Sequence, residues 1–287
     1  MAIKGLTNPV FGDYVYNGNT VTYQNGFICG SAIEYSAEVE TSDDNPLYGD
    51  DRIIENDYGT FSTGTLTLNT SDMDQQTSKA LLGLKDKTVM VGSAQVTELV
   101  YDDEAKATPK GFGIIETHQI NDVDKYRALI LCKITPRPVS EAATTKGETI
   151  EWQTKELECG ISRSDEESAD YKHPWKREAW FDTHSDALEY LKTVLNVMTM
   201  IQLSSAEGTL EGETVITIQN PVTGASYKYS TTGPAPTYKQ NLTSWTEFTS
   251  GEEITATNGS TLYVAQVDGE GNAIGSGTVT VVAKEGA

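Results

Sequence analysis

Apolar and polar residues alternate most clearly in the middle of the chain, across residues 111–161. Residues 113–119 and 126–134 are strand-like runs, and the residues between them, 120–124, are rich in turn formers. Two such runs with a short turn between them favour an antiparallel pair. This pair is the element around which we expect the first part of the chain to be organised.

A polar loop follows this pair. It opens at Pro136 and Pro138, closes near Lys146, and contains few apolar residues with which to bury itself. Residues 149–154 then alternate again, which predicts a third strand. The pattern therefore predicts a long arm between the second and third strands, an arrangement typical of assembly as much as of a core.

Alternation with a period of two also predicts strands elsewhere in the first two hundred residues. The Asn17-Gly18 step favours a tight hairpin turn between the first two of them. These predicted strands cover residues 11–16, 20–23, 27–39, 60–68 and 88–101.

Two segments have a helical pattern instead. Residues 73–82 follow Ser71 and Asp72, either of which can cap a helix, and residues 185–196 begin at a capping Ser185. Two helices among about eight strands indicate an α+β fold that is mainly β. The expected form is a β-sandwich or barrel with one or two flanking helices.

The composition changes after Gln202, where Thr, Gly and Ser become frequent and no helical period remains. We therefore expect two domains, residues 1–202 and 203–287. Short strand-like runs separated by turn signals predict a small Ig-like β-sandwich in the second domain. These runs cover residues 215–219, 227–230, 253–256, 261–267 and 278–283.

Residues 41–58 combine charge with large apolar side chains. The segment has six Asp or Glu and one Arg, yet it also carries Leu47, Tyr48, Ile53 and Ile54. A solvated loop seldom holds so many large apolar groups. We expect these side chains to pack on their own domain or to be buried by another subunit.

The net charge of −21 limits the function classes. An acidic protein repels nucleic acid, so sequence-specific DNA binding is not expected, although DNA would pass along such a surface without sticking. No apolar run approaches the about 18 residues that span a membrane, and residues 1–5 are not followed by a signal-type apolar segment. Cys29, Cys132 and Cys159 are odd in number and far apart, which favours buried thiols and synthesis in a reducing cytoplasm.

No catalytic constellation stands out. The three histidines have no second His or Cys at ligand spacing, so no zinc site is expected. Gly111-Phe112-Gly113 precedes a strand, which is the wrong context for a phosphate loop. Acidic pairs such as Asp43-Asp44 lack the calcium-loop spacing and act as an acid–base couple only across a cleft. We expect no enzyme, metal or cofactor; a hydrolase using one acidic pair is an alternative.

Aromatic residues leave a second alternative open. Tyr227, Tyr229, Trp245 and Tyr263 of the second domain are able to form a platform for sugars, although each is also an ordinary core residue. The alternative function is therefore a carbohydrate-binding module that acts through the C-terminal β-sandwich.

A set of short motifs occurs in order along the first domain: GLTNPV at 5–10, LYGDD at 47–51, FSTGTLTL at 61–68, LLG at 81–83, GFG at 111–113, YRA at 126–128 and ATTKGETI at 143–150. This ordered set resembles the phi13-type major tail proteins of long-tailed bacteriophages and prophages, over residues 1–196. The second domain is similar to the Ig-like or chitobiase-C-terminal-like modules often appended to phage tail proteins.

The resemblance implies a structural virion protein of the tail tube. Hexameric rings of the chain would stack into a hollow tube through which DNA passes, with the second domain outside, in contact with host-surface glycans. Expected partners are other copies of the chain, a tape measure protein, and tail terminator and initiator proteins. The chain would be made in the host cytoplasm and reside in the virion tail. The candidate inter-subunit contacts are Leu47, Tyr48, Asp50, Asp51, Ile53, Ile54, Pro136, Pro138 and Lys146.

Overall fold

The computed structural model describes residues 2–18, 20–145 and 152–285. The chain divides into two compact units, Met1–Leu195 and Asn196–Ala287. This boundary lies ahead of the junction expected after Gln202. The reason is that residues 199–200 already pair with a strand of the second unit, and Ile201 belongs to its core.

The first unit is mainly β, with two helices among its described residues, which confirms the expected α+β class. Its strands are β1 (Ala2–Asn17), β2 (Thr20–Ile28), β3 (Ala32–Thr41), β4 (Asn45–Gly49), β5 (Arg52–Asp57), β6 (Phe61–Thr70), β7 (Lys85–Val91), β8 (Ala94–Val100), β9 (Lys110–Ile120), β10 (Val123–Pro136), β11 (Lys155–Ser162) and β12 (Lys176–Phe181). Its helices are α1 (Gln75–Leu82) and α2 (His184–Leu195).

Eight of these strands form one sheet in the order β2-β1-β9-β10-β11-β6-β3, with β12 paired to β10 outside this path. The predicted central hairpin is β9 and β10. Strand β10 is long enough to hold two partners along its other edge: residues 126–131 pair with β12, and residues 133–136 pair with β11. The central hairpin therefore carries the rest of the sheet.

The sheet curves back on itself. Strand β3 lies four places from β9, about 19 Å in a flat sheet with strands about 4.8 Å apart. The hydroxyl of Tyr35 on β3 nevertheless donates a hydrogen bond to Glu116 on β9. One apolar core fills the space enclosed by this curve. It contains Phe11, Leu66, Leu68, Phe112, Ile114, Leu131, Leu157 and Ile161, together with Leu81 and Leu82 of α1.

Helix α2 covers the opposite face of β1, β2, β9 and β10. Its buried residues are Ala187, Leu191 and Leu195. A Cβ atom on Gly113 would lie 2.8 Å from Cδ2 of Leu191, so only glycine lets the helix approach β9 this closely. The small residue on the strand sets the distance between helix and sheet.

Both helices start at different caps from those expected. The side chain of Asp74 accepts a hydrogen bond from the backbone nitrogen of Thr77 at 2.7 Å, so α1 begins after Asp74 rather than after Ser71 or Asp72. Thr183 accepts from the nitrogen of Asp186 at 3.1 Å and donates to its carboxylate at 2.7 Å. This reciprocal pair caps α2, so Ser185 lies inside the helix.

Three predicted strands of the first unit differ from those observed. Residues 27–39 are interrupted at Gly30, which has φ of +44°. Residues 88–101 form the two strands β7 and β8, which turn at Gly92. Residues 149–151 lie outside the described residues, residues 152–154 are not in a strand, and pairing begins only at Lys155.

The described part of the second unit contains β13 (Thr199–Met200), β14 (Leu203–Glu207), β15 (Glu213–Ile218), β16 (Ser226–Ser230), β17 (Thr246–Phe248), β18 (Glu253–Thr255), β19 (Thr261–Val267) and β20 (Ala273–Thr280). Five of them form a sheet in the order β13-β20-β19-β16-β17, and β14-β15-β18 form another. Ile216 and Ile254 of the smaller sheet share one core with Leu262 and Val264 of the larger sheet. This packing of two sheets over one core is a β-sandwich.

Candidate assembly surface

The acidic segment at residues 41–58 forms an arm, which we call the first hairpin (β4 and β5). Its tip is Asp50 and Asp51, whose φ angles of 48° and 59° are those of a tight two-residue turn. Ile54 lies against Gly49, where an added Cβ would be 2.1 Å from its Cδ1 atom. The motif at 47–51 is thus one strand of the hairpin and its turn.

The base of the first hairpin is fastened to the unit. The nitrogen of Ser42 donates to the carbonyl of Thr60 at 2.9 Å, and the nitrogen of Thr60 donates to the Ser42 hydroxyl at 3.0 Å. The carboxylate of Asp44 accepts from the nitrogen of Gly59 at 2.8 Å. Because these hydrogen bonds join the two ends of the hairpin segment, they fix the direction in which the arm leaves the first unit.

The large apolar side chains of the first hairpin are exposed. Leu47, Tyr48, Ile53 and Ile54 are 58%, 65%, 53% and 64% exposed, so their own unit leaves more than half of each side chain in solvent. Isolated two-stranded hairpins are marginally stable in water, and grouped exposed apolar side chains usually mark a contact surface. The six candidate residues from Leu47 to Ile54 are therefore brought together on one arm.

A second apolar arm was not recognised in the sequence. The second hairpin (β7 and β8) pairs Val89 with Val96 and Val91 with Ala94, which places these four side chains on one face. Val91 and Met90 are exposed. The signal for this arm was Gly92-Ser93, a turn dipeptide within a run that otherwise alternates like a single strand.

The three remaining candidates for inter-subunit contacts lie in different places. Pro136 is buried at the end of β10, opposite Cys159, so it belongs to the sheet and not to the loop. Pro138 is exposed in the segment that follows. Lys146 lies outside the described residues. The loop therefore begins after Pro136, and of these three residues the structure places only Pro138 on a surface.

Strand β3 forms one edge of the large sheet, since among the described residues it pairs with β6 alone. Its register places Tyr35 opposite Leu68 and Ala37 opposite Leu66, so these side chains face the core. Leu66 and Leu68 are fully buried, yet Ala37 and Val39 are exposed. The core-facing layer is therefore left uncovered at this edge.

The opposite face of the same strands is polar and acidic. Strand β3 presents Glu34, Ser36, Glu38 and Glu40 there, and the register places Glu34 opposite Asn69 and the other three opposite threonines of β6. The next strand, β11, adds Glu156 and Glu158 to this face. Of these carboxylates, Glu158 forms an ion pair with Arg137.

A buried polar cluster lies at one end of the core of the first unit. Oε2 of Glu116 is 2.8 Å from Nε2 of His118 and 3.0 Å from Nη1 of Arg127, while Oε1 accepts from the Tyr35 hydroxyl. Arg127 also pairs with Glu178. Nδ1 of His118 is buried and has no hydrogen-bond partner among the described residues. The cluster ties β3, β9, β10 and β12 together.

Burial raises the pKa of Glu116, but the hydrogen bonds from Tyr35 and His118 and the charge of Arg127 outweigh it, so the pKa lies below its ordinary value. Burial and the nearby carboxylate of Glu116 raise the pKa of Tyr35. Tyr35 is therefore a neutral donor to an ionised Glu116. Apart from Nδ1 of His118, these polar groups bond to one another, so the cluster holds the strands of the unit together.

The other groups considered for chemistry are dispersed. The described residues contain no group of three or more His, Cys, Asp or Glu placed to hold a metal ion. All three cysteines are buried, which raises the pKa of Cys29 to about 11 and the pKa values of Cys132 and Cys159 to about 12. Thiols with such pKa values are poor nucleophiles at neutral pH.

The aromatic residues of the second unit do not form an exposed platform. Tyr227 and Tyr229 pack against the core between its two sheets. Trp245 packs against a smaller cluster with Leu242 and Ala265. The ring of Tyr263 lies against Gly233, where an added Cβ would be 2.6 Å from its hydroxyl oxygen. All four side chains are partly buried, and Tyr227 and Tyr229 pack on a different cluster from Trp245, which weakens the sugar-platform alternative.

Comparison with known proteins gives one family match. The model of the S-layer protein SbsC C-terminal domain matches residues 206–284, which is most of the second unit. No curated protein matches the chain. Neither helix in the described parts of the chain has the length and apolar character needed to cross a membrane.

Proposed function

We propose that the chain is the major structural subunit of a phage tail tube. The observation that carries the proposal is the first hairpin, a fastened arm whose four large apolar side chains are all more than half exposed on the single chain. Such an arm is stable in water when another subunit covers it. Rings of the first unit would stack into a tube, with Leu47 and Tyr48 buried between subunits.

The charge distribution supports the same assignment. The net charge is −21, and one face of the large sheet carries Glu34, Glu38, Glu40 and Glu156 beside uncharged Thr and Asn residues of β6. A tube that conducts DNA has to avoid binding the phosphates, and carboxylates repel them. DNA is accordingly a passing cargo in this proposal.

The remaining roles follow from the tube assignment. The chain's main partner is itself, in hexameric rings, with a tape measure protein inside and terminator and initiator proteins at the ends. It is made in the host cytoplasm and resides in the virion tail. The second unit lies on the exterior, where it is free to contact host-surface glycans. No catalytic role and no cofactor are proposed.

A second candidate is a subunit of a bacterial cell-surface layer. The match to the SbsC C-terminal domain favours it, since that family is named for an S-layer protein. The match covers the second unit only, so it leaves the first unit and its exposed arms unexplained. An S-layer subunit would form flat arrays, whereas a tail subunit would form rings or tubes.

The experiment is negative-stain electron microscopy of the purified full chain, with light scattering on the same sample. Rings or hollow tubes are the expected result, and flat lattices would favour the S-layer candidate. The Leu47→Asp variant should fold and fail to assemble. Tubes of unchanged form and yield from Leu47→Asp would show that the first hairpin is not the contact.

A further inference from the structure

The large sheet of the first unit ends in two strands of similar length. Strand β2 has nine residues and strand β3 has ten, and within the described residues each pairs with one neighbour only. An unpaired edge of this length exposes a row of backbone donors and acceptors, which natural proteins protect or use for association. Neither strand contains a proline or a lysine, the residues that commonly block an edge.

The apolar layer on the core side of β3 is also left uncovered at this edge. Ala37 and Val39 face the same side as the fully buried Leu66 and yet remain exposed. One more strand beside β3 would cover them. The missing element is therefore a strand and not a helix, because it has to continue both the hydrogen-bond ladder and the apolar layer.

The charges of the two edges decide which strand fits. Strand β3 has Glu34, Glu38 and Glu40 on one face, whereas β2 has no charged residue. Pairing β3 with β3 of another copy would place six carboxylates on one face of two adjacent strands, and like charges in such positions destabilise a sheet. Pairing β3 with an uncharged β2 avoids this repulsion.

We propose that β3 of one copy pairs with β2 of the next copy, so that one sheet continues from subunit to subunit. This contact is head-to-tail, and a head-to-tail contact generates a ring when the rotation closes and a helical filament when it does not. The inference rests on the proposed function, because it takes a second copy of the chain as the partner. It adds that the two edges that meet are β3 and β2, and that the contact is head-to-tail.

The test uses engineered cysteines in the full chain. Ala37 on β3 and Thr22 on β2 are both exposed. Ala37 lies on the core-facing side of β3 because it pairs with Leu66. Thr22 is expected on the core-facing side of β2, because the next residue, Tyr23, lies against Gly111 on the side that α2 covers. The native cysteines are buried, so a short thiol–thiol cross-linker will act on the new ones. Three proteins are compared: Ala37→Cys, Thr22→Cys and the double variant.

Neighbouring cysteines in an assembly meet at effective concentrations of about millimolar. The double variant should therefore give a ladder of cross-linked multimers, at least about tenfold above a Val222→Cys control in the second unit. Each single variant alone should give no more dimer than this control. A 1:1 mixture of the single variants should give dimers that join residue 37 to residue 22, as peptide mapping would show.

Four results would overturn the proposal. Dimers of Ala37→Cys alone would mean that β3 pairs with itself, and dimers of Thr22→Cys alone would mean the same for β2. Rings or tubes without cross-links in the double variant would refute the edge pairing while leaving the tail-tube function in place. A chain that stays monomeric and uncross-linked at the highest concentration reached would refute the pairing and count against the proposed function as well.

Discussion

Replacing Leu47 by aspartate separates assembly from folding. Leu47 lies on the first hairpin and is 58% exposed on the single chain. Substitutions at exposed positions usually change the free energy of unfolding by less than about 0.5 kcal/mol. The Leu47→Asp chain should therefore unfold at nearly the same temperature as the parent when both are kept dilute.

The effect on assembly should be much larger. Burying a whole leucine side chain is worth about 1.5–3 kcal/mol, so burying the exposed 58% of Leu47 is worth about 1–2 kcal/mol. An unpaired carboxylate at a buried contact adds a penalty of about 1–3 kcal/mol or more. The sum is about 2–5 kcal/mol per contact, and each 1.4 kcal/mol is about a factor of ten in affinity.

The critical concentration for assembly should thus rise by about thirtyfold or more in Leu47→Asp. Leu47→Ala, which removes apolar area without adding charge, should raise it by about five- to thirtyfold. Sedimentation of a concentration series measures both values. Val222→Asp is the matched control, because Val222 is 55% exposed in the second unit.

Two outcomes would refute the reasoning. An unchanged critical concentration for Leu47→Asp would mean that Leu47 stays solvated in the assembly. A large fall in the unfolding temperature of the dilute variant would mean that Leu47 supports the fold of its own unit, and the assembly result would then carry no information about the contact.

Three further predictions concern the stability of the units. Glu116→Gln should lower the free energy of unfolding by about 2 kcal/mol at pH 7. Because the folded pKa of Glu116 is depressed, its contribution is present above about pH 4.3 and is lost as the pH falls through the folded pKa, so the urea midpoints of variant and parent should converge as the pH is lowered. The three native thiols should resist a thiol reagent at pH 8 until denaturant is added, since burial raises their pKa values. An alanine in the left-handed region lowers the free energy of unfolding by about 1–2 kcal/mol. Thermal unfolding should show a larger loss for Gly83→Ala, because its Cβ would lie 2.4 Å from the Lys106 carbonyl oxygen, and only that loss for Gly92→Ala, which has open space around it.

The sequence predicted those elements whose local pattern agrees with their tertiary role. The β9–β10 hairpin, both helices and the α+β class follow from alternation, helical period and turn residues. The Asp50-Asp51 turn was not recognised, although the apolar content of the surrounding segment marked it as a contact candidate. Local chemistry was sufficient where neighbouring residues alone determine the conformation.

What the sequence could not predict depends on distant residues. Strand β11 was missed because its partners, β6 and β10, lie far away in the chain and its length is set by that pairing. The second hairpin was read as one strand, since valines continue on both sides of Gly92. The Glu116 cluster joins residues 35, 116, 118, 127 and 178, and the sequence spacing indicates a meeting only of residues 116 and 118, which lie two apart in a predicted strand.

The cluster also bears on how the proposed edge would work. Tyr35 lies on β3, and its hydrogen bond to Glu116 holds that strand across the core, while β6 holds it along the sheet. An edge that is already fixed in the single chain loses little conformational freedom on pairing, and preorganisation of this kind strengthens association without adding contacts. The buried polar groups would then serve assembly indirectly, by keeping the uncovered strand straight and in register for the next copy.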